Sequence, residues 1–135
     1  MASPGAEGVE EVWESEAIPD TARLFMRVHR QNIDENGKLK PGAFRNLPKE
    51  LPGSGMSTDW EKYTTPDETQ QRARTPADNA VIQLLCGDIR NIPGQTVVHT
   101  PNRELNNRAH TDVFGEKTPE VRLKLMAIYQ MVIPL

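Results

Sequence analysis

Leu24-Phe25-Met26-Arg27-Val28-His29-Arg30 is the stretch on which the fold turns. Side chains alternate along a strand, so a strand here puts Leu24, Met26 and Val28 on one face and Phe25, Arg27 and His29 on the other. That pattern suits a sheet with one buried face. A helix over 21–30 is the alternative, since Leu24 and Val28 are also four apart, but the alternation favours the strand. The following Asp34-Glu35-Asn36-Gly37 is a turn signal, because Asn and Gly tolerate positive φ.

Two further strands are readable downstream. Residues 80–85 are nearly all apolar and read as a central strand. Residues 87–92 read as a bend, and Ile92-Pro93-Gly94-Gln95 fits a type II turn with Pro second and Gly third. The β-branched run Thr96-Val97-Val98-His99-Thr100 follows, which makes 80–85 and 96–100 expected antiparallel neighbours. His110-Thr111-Asp112-Val113-Phe114 is another candidate strand. Thr118-Pro119-Glu120 then opens a final helix, with Val121, Leu125, Ile128, Tyr129 and Val132 on one side. The apolar end, Val132-Ile133-Pro134-Leu135, is read either as docked or as open to a partner.

Between these elements the chain is punctuated. Pro41, Pro48 and Pro52, with Gly42, Gly53 and Gly55, break residues 38–64 into an irregular but ordered surface segment, with room for one short strand and anchors such as Phe44, Leu51, Trp60 and Tyr63. A long ordered loop of this kind is often functional. Thr65-Pro66-Asp67-Glu68 carries a capping box and starts a short polar helix over about 66–74. Residues 1–17 read as a flexible acidic tail and 18–135 as a single domain. The expected fold is therefore α+β: a small, mostly antiparallel sheet, a C-terminal helix packed on it, one short capped helix and long loops.

Bulk properties narrow the classes. The chain has 135 residues and a formal net charge of −3, which leaves no electrostatic footprint for nucleic acid. The groups Arg23, Arg27, Arg30 and Arg72, Arg74 read as solvated surface. The single Cys86 excludes an internal disulfide and reads as a buried, inert thiol. The first residues lack a basic then apolar leader, and no stretch reaches the roughly 20 apolar residues of a membrane span, so a cytoplasmic location is the expectation.

P-loop, Gly-x-Gly-x-x-Gly, paired CxxC, HExxH and Gly-x-Ser-x-Gly motifs are absent, and neither cofactor nor metal is assigned. The catalytic candidates are His29, His99 and His110, imidazole being the usual general base near neutral pH. Three strand histidines also raise a convergent metal site, although their spacing has no ligand signature. Met56-Ser57-Thr58-Asp59-Trp60 is a second candidate, with Ser57, Thr58 and Asp59 as polar binding groups and Trp60 as an apolar wall. Arg27 and Arg90 complete the binding set.

Arg27 and His29 on an early strand, with Ser57-Thr58 later, resemble ADP-ribosyltransferase-like domains, which place an Arg or His and a Ser-Thr in that order. The resemblance implies an NAD-consuming enzyme. A final strand glutamate is missing, Glu104 falling in a loop and Glu116 at a helix start. The order of Arg27-Val28-His29, Ala43-Phe44, Met56-Ser57-Thr58-Asp59, Thr65-Pro66-Asp67-Glu68, Gly87-Asp88-Ile89-Arg90, Val97-Val98-His99-Thr100-Pro101, Arg108-Ala109-His110 and Gly115 looks like a family of small uncharacterised bacterial and phage proteins, from which no activity carries over. The leading expectation is a non-enzymatic binding or accessory protein with a protein partner or a second copy of itself. The alternative is a small histidine-dependent enzyme acting on a nucleotide or RNA.

Overall fold

The computed structural model describes residues 12–48 and 53–135. At their centre is one antiparallel sheet of β1 (Arg23–His29), β2 (Met56–Trp60), β3 (Asn79–Leu85), β4 (Thr96–His99), β5 (His110–Phe114) and β6 (Gln130–Ile133). The strand order is β4-β5-β2-β1-β3-β6. Three α-helices accompany it: α1 (Pro66–Gln71), α2 (Cys86–Arg90) and α3 (Pro119–Ile128). The architecture is the expected α+β sheet with a packed C-terminal helix.

β1 and β3 form the spine, in register from Arg23–Leu85 to His29–Asn79. The alternation read from the sequence holds. Leu24, Met26 and Val28 are buried with Met56, Trp60, Ile82, Leu84 and Val113, under Ile89 of α2 and Val121 and Leu125 of α3. Each such side chain contributes roughly 1.5–3 kcal/mol by leaving water. Phe44 enters the same core from the irregular segment, 6.4 Å from the Tyr129 ring. The other face of the sheet is mixed, with Phe25 and Val81 buried there beside Arg27 and Asp59, and α1 lies on that side.

Three elements differ from the sequence reading, and a fourth is more central than expected. The short strand allowed within 38–64 is β2, and it lies in the middle of the sheet; Thr58 on its buried side and the buried Asp59 mask the apolar alternation. Residues 86–90 are helical rather than bent, and bonds from the Cys86 and Gly87 N–H groups to the Ala22 and Asp20 carbonyls hold that turn in place. The turn at 92–95 exists, with Gly94 at φ 83°, but it joins α2 to β4. β3 and β4 are therefore not neighbours; β5, β2 and β1 lie between them. Finally, α3 stops at Ile128 because Tyr129 turns extended, and Met131 and Ile133 register against Ile82 and Val81. Val132 and Ile133 of the apolar end thus belong to an edge strand of the sheet, while Leu135 beyond them is exposed.

Of the tail expected over 1–17, residues 1–11 lie outside the described residues, as does 49–52 with Leu51 and Pro52. Ser15 and Glu16 are tied to the domain through His99, Lys62 and Tyr63. Cys86 is buried, and that burial raises its thiol pKa. Among the described residues no helix is long and apolar enough to cross a membrane.

Candidate functional site: a cleft between two parted strands

The β1–β2 ladder has two rungs, Leu24–Trp60 and Phe25–Asp59. Beyond them the strands part, and a cleft of about 520 Å³ opens in the middle of the sheet. Phe25, Arg27 and His29 line it from β1, and Ser57 and Asp59 from β2. His110 borders it from β5, while Thr69 and Arg72 reach it from the end of α1. This volume falls in the range of small-ligand sites. Continuing the antiparallel count of the two rungs places Arg27 level with Ser57 across the gap.

Asp59 builds one wall. Its buried carboxylate accepts from the Thr69 hydroxyl at 2.9 Å, the Arg72 guanidinium at 2.8 Å and the Asn107 amide at 2.9 Å. One strand carboxylate thus holds both α1 and the 102–107 loop, which explains a buried charge at that position. Removing one partner of such a pair typically costs about 3–5 kcal/mol.

Arg27 donates to the Thr69 carbonyl at 2.9 Å. Burial lowers its pKa, with the Asp59 charge opposing and Arg72 adding to the effect. A guanidinium carries five N–H donors, and this carbonyl bond is its one hydrogen bond among the described residues. Of the charged side chains lining the cleft, Arg27, Arg45 and Arg72 are cationic and Asp59 is anionic. That excess favours an anionic ligand.

The hydrogen bonds assign the imidazoles. At His29, Nδ1 accepts the Gln31 N–H, so the neutral ring carries its proton on Nε2. At His110, Nδ1 lies 3.1 Å from the Thr100 carbonyl, which can only accept, so Nδ1 is the protonated nitrogen. The Thr100 hydroxyl, 2.9 Å from the same nitrogen, spends its own proton on Asp112 at 2.9 Å. Nε2 of the neutral His110 is therefore a bare lone pair, and the Ser57 hydroxyl is 3.4 Å away.

His99 differs. It is buried, Nδ1 accepts the Glu16 N–H, and Nε2 donates to the Arg108 carbonyl at 2.7 Å. Its ring lies against Trp60 and stacks on Tyr63. With both nitrogens used by backbone on the packed face, it takes no part in the cleft.

The three imidazoles do not converge. His110 registers with Asp59 and so with Phe25, while His29 is four residues further along β1. At about 3.3 Å per residue that is roughly 13 Å along the strand. Among the described residues no three His, Cys, Asp or Glu side chains gather as a metal site.

The cleft brings together Arg27, His29, Ser57, Asp59 and His110 from the candidate set. Thr58 instead bonds the Thr111 carbonyl from the buried side, and Trp60 is core. Arg90 lies apart, bonded to the Ile18 carbonyl and Asp20. Sequence reasoning missed Arg72, Thr100, Asn107 and Asp112. Asp112 was the accessible one, sitting two residues after His110 and hence on the same strand face. Gly55 presses on it so closely that a Cβ there would meet the Asp112 Cβ at 2.7 Å. Compared with family models, curated proteins and solved structures, the chain matches none.

Proposed function

We propose that the cleft between β1 and β2 binds a phosphorylated nucleotide, and that the protein is a small histidine-dependent enzyme acting on a nucleotide or RNA, with His110 as general base. One observation carries this reading: a single cleft sets the cationic Arg27 level with the Ser57 hydroxyl and its neighbouring imidazole. The same pairing of a strand Arg with a Ser on the next strand supports the ADP-ribosyltransferase-like reading, so NAD is the first ligand to try. Asp112 on β5 supplies an acidic strand residue, although an aspartate beside the serine is not the final glutamate of those domains.

The test is calorimetry with ADP, NAD and a short single-stranded RNA, followed by chromatography of the ligand after incubation. Arg27→Ala should weaken binding at least tenfold, since a charge-assisted contact contributes about 1.5–3 kcal/mol, while the melting temperature stays close to that of the parent. Binding of the same ligands without turnover would favour the accessory-protein reading. Absence of binding by all three at millimolar concentration would remove the nucleotide reading.

A further inference from the structure

We propose that Ser57 is a nucleophile with His110 as its base, and that the pair attacks the phosphorus of a nucleotide phosphoester or phosphoanhydride seated beside Arg27. The substrate class rests on the nucleotide reading above; the nucleophile itself rests on geometry alone.

A serine hydroxyl is a weak nucleophile unless a base stands within hydrogen-bond reach and a third group orients that base. All three parts are present. Ser57 Oγ lies 3.4 Å from His110 Nε2, a length usual before a substrate tightens the site. The Thr100 carbonyl and hydroxyl hold the opposite ring nitrogen, which fixes the tautomer and leaves Nε2 bare toward the serine. Asp112 accepts the Thr100 hydroxyl hydrogen bond, which orients that hydroxyl toward the ring, and its carboxylate lies 4.0 Å from His110 Nδ1. Ser57 and Asp112 are register partners on β2 and β5, so two rigid strands set the spacing.

In the first step the Ser57 Oγ–P bond forms as the P–O bond to the leaving group breaks. The serine proton passes to His110 Nε2 and on to the leaving oxygen. Water then gives a proton to His110 and attacks phosphorus, the Oγ–P bond breaks, and Ser57 recovers its proton. The net change is hydrolysis of one phosphoester or phosphoanhydride bond. Arg27 faces the phosphoryl oxygens. Thr100 and Asp112 act through the imidazole and are positioning residues.

An alkyl fluorophosphonate tests this on the full chain: Oγ–P forms, fluoride leaves, and the adduct is mapped by peptide mass spectrometry. Labelling should fall on Ser57, vanish in Ser57→Ala and Ser57→Gly, and slow by at least about 100-fold in His110→Ala, the low end for a general base. Thr100→Val should slow it about tenfold and alter its pH profile, whereas Thr100→Ser restores both. Labelling of the parent no faster than of Ser57→Ala, an adduct elsewhere, or an unslowed but folded His110→Ala or His110→Gln would overturn the proposal. ADP calorimetry separates the two ideas. Nucleotide binding without labelling sinks the nucleophile and keeps the cleft reading; labelling without nucleotide binding does the reverse.

Discussion

His99 and His110 sit on adjacent strands, and His99 registers with Thr111, the residue next to His110. One step of strand alternation separates their environments. His99 faces the packed side, where its two nitrogens join the N-terminal segment to the chain after β4. His110 faces the cleft, where one nitrogen is held by Thr100 and the other is open to Ser57. The same side chain is a structural bridge on one face and lines an open cleft on the other. Strand parity makes the difference, not the imidazole.

The largest expected effect breaks that comparison directly. His99→Ala empties a fully buried site and leaves the Glu16 N–H and the Arg108 carbonyl without their bonds, so it should cost about 3 kcal/mol in urea unfolding. His110→Ala, half-buried at the cleft edge, should cost about 1 kcal/mol or less. Equal losses would show that both histidines are structural and would end the functional distinction between the faces.

A second contrast is electrostatic. The cleft's buried carboxylate has a cation at 2.8 Å, whereas buried Lys117 is held by three neutral oxygens, those of the Asn46 side chain and the Val113 and Gly115 backbone. Burial pushes the Lys117 pKa down to about 8 from 10.5. Between those values the unfolded chain holds more protons than the folded one, so this lysine's penalty is complete below pH 8 and fades as pH rises toward 10.5. Measured against Lys117→Met, the parent should gain stability across that window, by at most about 1.4 kcal/mol per pH unit. A flat difference would mean that the oxygens fully replace the lost water.

Parity also explains what could be read from the chain. The apolar positions of β1 and β3 alternate or run together, so hydrophobic pattern places them in the core, and the Thr65–Glu68 cap is a local signal that needs no tertiary context. The sequence allows a short strand within 38–64, but its place at the centre of the sheet was not legible, because a buried Thr58 and a buried Asp59 look like a polar turn until tertiary contacts supply their partners. β6 escaped because Met131, Val132 and Ile133 continue a helical spacing, and only the open edge of β3 makes them a strand. Arg27 and His29 were legible as polar groups on a strand, and Ser57 as a polar binding group of the 56–60 stretch. The gap between β1 and β2 was not, since parting of strands is decided by what each pairs with on its far side.

The smallest effect tests whether α1 serves the cleft or merely covers it. The helix is six residues long, too short to persist by propensity alone. Its stability therefore leans on its ends. At the start, the Thr65 hydroxyl accepts the Glu68 N–H and the Glu68 carboxylate accepts the Thr65 N–H. At the far end, Thr69 and Arg72 are bound to Asp59. Thr65→Ala removes one of these supports, at a cost of about 1 kcal/mol. Because the Thr69 carbonyl holds the Arg27 guanidinium, loosening the helix should loosen that cation as well. We expect amide exchange at residues 69–72 to quicken about fivefold and ADP affinity to fall by a smaller factor, with Thr65→Ser near the parent in both. Faster exchange with unchanged affinity would show that Arg27 is placed by β1 alone.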